Sequence, residues 1–508
     1  MRDPAVPMDR SLRLVVGAMM LCLFLSAVDQ TIVATALPTI AGELGGLDHI
    51  SWVVTSYMLF STVSVPLFGK LSDVHGRKLM IQVTIVAFLL GSVLAGLSQS
   101  MLQLILARGV QGIGGGGIMA MAFTVLADVM TPRQRSRYTG LFTAVFATAS
   151  VVGPLLGGFI ADNLSWRWVF WIKLPLGAAA FVVTALHLHL PRPTMQRSVD
   201  FVGAALLTVG VTTILLGTTW GGQEFAWGSL LIVGLLTTGV VTTAVFIRHQ
   251  TRTEDPVLPM RLFRSRIFVV SVTMGALLGG VLVGGVTFLP LFLQVVDGAS
   301  ATSSGLLLLP LMGGVVVGSN VTGRLVSRSG RYRTFPIVGL GMAVLGVSAL
   351  ATIDAGTERV LISTAMGVLG LGVGCSMPVL MVAVQNAAAF ADMGVATSAV
   401  NFFRTLGSAF GVALFGTVVR VRLDATLAER LPGSGLEANG ELLGSPDAIR
   451  ALPTDQFEAV ADGIASGVGM VFVVAIPIVV LGLVLAWFLE EIPLRDELAP
   501  TEPAVAVD

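Results

Sequence analysis

Charge is what this chain has least of. Only 12% of its 508 residues are Asp, Glu, Lys or Arg, about half the share of an ordinary soluble domain. A mean hydropathy of +0.88 leaves no length for a large water-soluble unit. The 30 basic and 30 acidic residues cancel, so no basic field marks a nucleic-acid partner. Cysteine is nearly absent: Cys22 and Cys375, both in apolar runs, exclude a disulfide framework. The 5 histidines show no metal-ligand spacing, and no nucleophile motif is present. An enzyme is therefore not expected, and neither is a metal or cofactor. A Gly-x-x-x-x-Gly-Lys-Ser/Thr stretch is also missing, which excludes a self-contained ATP-driven pump.

Apolar length and glycine are what the chain has in plenty. Hydrophobic residues make up 54%, and the 59 glycines suit closely packed membrane helices. Fourteen apolar runs of span length follow one another, at about 13–40, 50–69, 79–98, 102–127, 138–161, 168–190, 200–220, 229–247, 267–296, 302–326, 334–353, 359–384, 392–420 and 464–489. The expected fold is an all-α polytopic membrane protein. Arg10 and Arg13 before the first run look like the start of a signal peptide. The run continues past Asp29 and many more follow, so it is read as an uncleaved first helix.

Basic residues sit in alternate loops: Arg2, Arg10 and Arg13, then Lys70, Arg77 and Lys78, then Arg133, Arg135 and Arg137. They recur as Arg192 and Arg197, as Arg248, Arg252, Arg261, Arg264 and Arg266, and as Arg324, Arg328, Arg331 and Arg333. By the positive-inside rule these loops and both termini are expected in the cytoplasm, with the chain in the cytoplasmic (inner) membrane. One long opposite-side loop, about 421–461, is expected to hold a short amphipathic helix or two, and Thr454–Ile464 a helix leading into the last span.

The loops also repeat. Gly69-Lys70-Leu71 with Gly76-Arg77 returns 254 residues later as Gly323-Arg324-Leu325 with Gly330-Arg331. Glycine-rich span four (Gly112 to Gly117) is likewise echoed by span twelve (Gly370, Gly372, Gly374). The expected organisation is a six-helix bundle over 1–195, an inserted helix pair with linkers over 196–260, and a second six-helix bundle over 261–508. Parallel repeats of this kind place a substrate site between the halves, near the bilayer midplane.

Within this frame a few polar groups stand out. Asp29 lies in the first span, where an acid costs roughly 2.5–3.5 kcal/mol at a helix centre. Desolvation disfavours its charged form, which makes it a candidate proton carrier. Arg108 in span four cannot shed its proton and must face an acid, a carbonyl or water; Asp29 is its expected mate, with Gln111 on the same helix face. Gly69, Asp73, Gly76, Arg77 and Lys78 form a tight turn after span two. Asp73 is suited to a neighbouring helix N-terminus, and Arg77 or Lys78 to pairing with it or with Asp128. Such a pair is a gate latch, made in one state and broken in the other. In span five, Gly153 and Gly157 make a small-xxx-small face beside Pro154 and Gly158. Trp52, Tyr57, Gln111, Gln294, Asn401 and Arg404 are the candidate substrate-cavity residues. Lys173 is expected to be an interfacial cation near the outer end of span six.

These residues carry a resemblance. Asp29-Gln30-Thr31-Ile32-Val33 through Ala36-Leu37-Pro38, Gly69 to Lys78, Arg108 to Gly112 and Gly153 to Gly158 stand in order and in the right helices. Over nearly its whole length the chain resembles the fourteen-helix drug:proton antiporter branch of the major facilitator superfamily. The resemblance implies alternating access, with Asp29 coupling protons, Arg108 modulating it, Pro154 in the antiporter motif and Asp73 in the gating loop. Two departures stand out: Lys173 occupies a position where the branch often has Asn, and Ser327 stands in the second loop where the first has Asp73. The expected function is proton-coupled efflux of amphipathic or cationic drugs or toxic small molecules by a monomer in the bilayer, driven by the proton gradient. A dedicated exporter of one endogenous metabolite, siderophore or lipid shares every one of these motifs. A channel or sensor is disfavoured by the asymmetric gating loops and the mid-membrane acid–base pair.

Overall fold

Each apolar run forms helix. The structure is a computed structural model describing residues 10–44, 50–190, 200–222, 225–299, 303, 306–354, 356–389, 392–431, 449–450 and 452–494. The first half comprises α1 (Arg10–Leu44), α2 (Ile50–His75), α3 (Arg77–Gly96), α4 (Met101–Val129), α5 (Pro132–Asn163), and a sixth span broken into α6 (Trp168–Trp171) and α7 (Lys173–His187). The inserted pair is α8 (Phe201–Trp220) and α9 (Leu230–Gln250). The second half comprises α10 (Arg266–Val295), α11 (Leu309–Ser329), α12 (Thr334–Leu350), α13 (Arg359–Ala387), α14 (Met393–Arg430) and α15 (Thr454–Trp487). Among the described residues, 13 helical segments are long and apolar enough to cross a bilayer, and the shorter apolar α12 makes the fourteenth. Arg2, Arg192, Arg197, the expected boundary at 195/196, and 432–448 and 451 of the expected long loop lie outside the described residues. That loop is shorter than its charge pattern implies, because α14 continues through Val421 to Arg430 and α15 already begins at Thr454.

Glycine lets α4 sit against two helices at once. A Cβ at Gly112 or Gly116 would strike the α2 backbone at Tyr57 or Ser61, and one at Gly114 would strike the α3 backbone at Phe88. The second half repeats the device, with Gly370 and Gly374 against α11 and Gly372 against α12. The loop repeat is geometric too: Gly76 and Gly330 both adopt positive φ, 92° and 70°, where a side chain would be strained. The second copy is held differently. Tyr332 donates its backbone N–H to Glu491 and its hydroxyl to the Glu490 carbonyl, at 3.0 and 2.8 Å.

The halves meet through α5 on α11 and α2 on α14, while α8 lies against α2 and α14. Hydrogen bonds across this seam include Ser136 to the Gly323 carbonyl, 2.9 Å, at the end of the bundle that carries the basic loops. The inserted pair is stapled at that same end by Asp200, which caps the Gly203 N–H at 2.7 Å and accepts from Gln250 at 2.7 Å.

Gly114→Val forces a side chain into the α3 backbone, an overpacking that typically costs about 1–3 kcal/mol. It should cut the yield of monodisperse detergent-extracted protein and lower its unfolding temperature. Gly158→Ala, where a Cβ meets nothing within 4 Å, should leave both unchanged.

Candidate functional site

Asp29 is completely buried and fully engaged. Its Oδ2 accepts from Arg108 Nη1 at 2.5 Å, and its Oδ1 accepts from Gln111 Nε2 at 2.9 Å. The ammonium of Lys173 completes the carboxylate's shell as an ion pair on Oδ1. Arg108 Nη1 also donates to Gln111 Oε1 at 2.6 Å and its Nε to the Val53 carbonyl at 3.2 Å, and its guanidinium lies 4.3 Å from the centre of the Tyr57 ring. Gln111 reaches Ser92 at 2.8 Å, and Tyr57 sits 3.4 Å from the Ser26 hydroxyl. Asp29, Arg108, Gln111, Lys173 and Tyr57 each expose 1% or less of their surface.

Asp29 meets Arg108, as the sequence leads one to expect, and it also meets Lys173, which the sequence does not mark as its partner. The expected interfacial cation is a core cation. Its signal was present in α7, where the buried face reads Lys173, Gly177, Ala180, Thr184. That spacing is one helix stripe, and Lys173 heads it toward the bundle, over the rings of Phe170 and Phe88. Gly91 makes room for the cluster, since a Cβ there would collide with the backbone of Gln111.

The six expected cavity residues do not line one space. Tyr57 and Gln111 belong to the Asp29 cluster. Asn401 and Arg404 line a gap between the halves with Phe123, Thr143 and Met377, with a volume of about 30 Å³, on the scale of one water. Arg404 points at the first half, to Met119 Sδ at 3.9 Å and the Phe146 ring at 5.7 Å. Trp52 packs edge-on against Trp220 of the inserted pair, with centroids 5.0 Å apart. Gln294 lies at the end of α10, where its carbonyl accepts from Arg450 at 2.8 Å. A cavity of about 470 Å³, walled by apolar side chains such as Leu207, Phe246, Phe263, Phe403 and Phe410, lies between the inserted pair and α14.

Arg77 grips two acids: Asp73 one turn back, and Asp128 at the end of α4, at 2.8 Å. Asp73 lies against Gly394 in the first turn of α14, and Gly69 packs on Ser398 of the same helix. Both put the turn at the seam between halves. Lys78 takes no part in that pairing and donates instead to the Ala185 carbonyl at 2.7 Å. At the opposite end, hydrogen bonds from Arg167 and Trp166 hold the Glu43 carboxyl below its usual range and tie α1 to α6. In α5, Gly153 and Gly157 pack on Thr31, Ile32 and Thr35 of α1, so the small-residue face seats the helix that bears Asp29; half-buried Pro154 lies inside α5, and Gly158 faces open space.

Two glycine-packed halves that meet at a seam of basic loops, with an ion cluster buried among the apolar spans of the first, have the architecture of a membrane transporter. The model of the Major Facilitator Superfamily matches residues 19–412, and the chain belongs to that family. It is a transporter, not an enzyme. It is 41% identical to an uncharacterized MFS-type transporter of Mycobacterium tuberculosis, over 94% of this chain and 69% of the relative. Identity to the multidrug transporter protein MdtP of Bacillus subtilis is 36%, over 87% and 85%. The solved structure of the proton:xylose symporter XylE shares the fold at 14% identity, with a TM-score of 0.62 over 94% of this chain and 96% of that one.

Removing the carboxylate strands two buried cations, and breaking a buried pair typically costs about 3–5 kcal/mol. Asp29→Asn and Lys173→Met should each lower the unfolding temperature of the detergent-solubilised protein. The double variant should lose clearly less than the sum, since the groups touch; strict additivity would show that they do not act as one cluster.

Arg77→Ala should loosen the seam. With Cys22 and Cys375 replaced by Ala, a cysteine placed at Ser398 should react with a polar maleimide about tenfold faster in the Arg77→Ala background, which corresponds to about 1.4 kcal/mol. Equal labelling rates would show that the latch does not hold the halves together.

Proposed function

We propose that the protein exports amphipathic or cationic small molecules in exchange for protons, by alternating access, with the basic-loop face and both termini in the cytoplasm. The observation that carries this reading is the sealed cluster of Asp29, Arg108, Gln111 and Lys173. Ionisable groups inside a membrane are costly and are kept for proton or ion work. The multidrug relative supports the substrate class, and the positive-inside pattern supports the orientation. One proton entering at ~100 mV supplies about 2.3 kcal/mol, enough for tens-fold accumulation of a neutral solute. The chain acts as a monomer in the inner membrane and draws on no cofactor beyond the proton gradient.

Everted vesicles energised by an imposed pH gradient should accumulate a fluorescent lipophilic cation. Asp29→Asn should reduce that rate by about tenfold or more, equivalent to at least 1.4 kcal/mol in the coupled step. Wild-type rates in the variant would sink the role of the acid in coupling. In a pump-deficient host, wild type should lower susceptibility to several unrelated cationic drugs, whereas an unchanged panel would favour the dedicated-exporter reading.

A further inference from the structure

The ion cluster does not balance. It holds one carboxylate, Asp29, and two basic side chains, Arg108 and Lys173, all but closed to solvent. A guanidinium keeps its proton in proteins. The carboxylate is the common partner of both cations and of the Gln111 amide, so its negative charge is the one the site is built around. The surplus positive charge rests on a lysine, a side chain that works as a neutral amine when buried.

We propose that Lys173 is the group that takes up and gives up the transported proton, with Asp29 as its permanently charged counter-ion and Arg108 as the fixed cation that sets the balance. This rests on the proton-driven reading above and names the atom it needs. In the state open to the cytoplasm, the Lys173 ammonium passes its proton to water and remains as a neutral amine, leaving the Asp29–Arg108 pair neutral. In the state open to the other side, the amine lone pair takes a proton from water and the cluster regains one positive charge. No bond other than N–H changes.

The surroundings are suited to that task. The charged groups facing Lys173 are Asp29 from α1 and Arg108 from α4; α2 contributes Tyr57 beneath Arg108, α3 the ring of Phe88, and α6 the ring of Phe170. Phe170 lies 4.8 Å from the ammonium and Phe88 5.8 Å. Ring faces attract a cation without offering it a second base. Among the described groups, the proton on Lys173 therefore has one acid beside it and apolar walls around it.

Lys173→Arg keeps a cation that cannot be discharged, and Lys173→Met removes the basic nitrogen at similar length. In proteoliposomes, both variants should lose pH-gradient-driven uptake by at least about tenfold. Lys173→Met should retain counterflow of a cationic substrate at equal pH on both sides, an exchange that needs no net proton movement, whereas Lys173→Arg, whose charge cannot be removed, should lose it. Retained counterflow also shows that the variant has folded and binds substrate. Wild-type pH-driven uptake by Lys173→Arg would overturn the assignment. A second readout does not depend on transport: with the other six of the seven tryptophans replaced by Phe, the fluorescence of Trp171, two residues before Lys173 in the chain, should change with pH with Lys173 present and in Asp29→Glu, and not in Lys173→Arg or Lys173→Met. A pH response that survives in both Lys173 variants also overturns it. Were the wild type to show that response, lost in the lysine variants, but no pH-driven uptake, Lys173 would stand as the titrating group and the proton-driven reading would fall.

Discussion

A carboxylate held between two cations where water does not reach is the constraint the first half is built to meet. Such a cluster is tolerable only if every oxygen and N–H has a partner, because each unmet charge costs several kcal/mol in low dielectric. The packing follows from this. Arg108 and Gln111 reach Asp29 from α4, and α4 approaches closely because Gly112 and Gly116 admit α2 while Gly91 and Gly114 seat α3 against it. Gly153 and Gly157 bring α5 onto α1 beside Thr31, two residues beyond Asp29. The glycines are not loose points of the helices. They are the positions that let four helices converge on one acid.

The same helices carry the latch. α4 bears Arg108 and Gln111 in its first third and Asp128 in its last turn, about 30 Å away at 1.5 Å per residue. α2 carries Val53 and Tyr57 beside the cluster and Lys70 to Asp73 at the seam. The cluster and the Arg77 pairing thus sit on the same two rigid elements, α2 and α4, so the proposed change of charge in one would have a physical route to the other. The second loop is held differently among the described residues: Ser327 stands where Asp73 does, and Tyr332 is tied to Glu490 and Glu491. The grip of Arg77 on two acids thus makes the two loops of the repeat unequal.

Most of the fold was legible because in a membrane the rules are few. Length and hydropathy mark the spans, and the Gly-basic-Leu repeat marks the halves, down to the shared positive φ of Gly76 and Gly330. Asp29 and Arg108 were legible as partners because each is unaffordable alone. Lys173 was not, since a lysine after Trp168 and Trp171 and before Pro175 has the composition of an interfacial belt. Its burial depends on the register of α7 after the break at Ile172, which only the stripe through Gly177, Ala180 and Thr184 betrays. The scattering of Trp52, Gln294, Asn401 and Arg404 was equally hidden. Polarity within a span says that a residue has a partner, and helix azimuth decides which one.

Under the proposed proton exchange, a net charge on the cluster would also set the sign of that exchange. With Lys173 as an ammonium the first half carries one extra positive charge behind a low-dielectric wall, where Coulomb interactions fall off slowly. A substrate cation of the kind proposed, entering between the halves, would be repelled by that charge and admitted once it is gone. Proton and cationic substrate would then exclude each other without sharing a binding atom, which is the relation the proposed antiport requires. The fully engaged shell of Asp29 agrees with this, because it leaves no oxygen free for a substrate cation. Discrimination would rest on charge felt at a distance and on the apolar walls, a combination that tolerates many shapes.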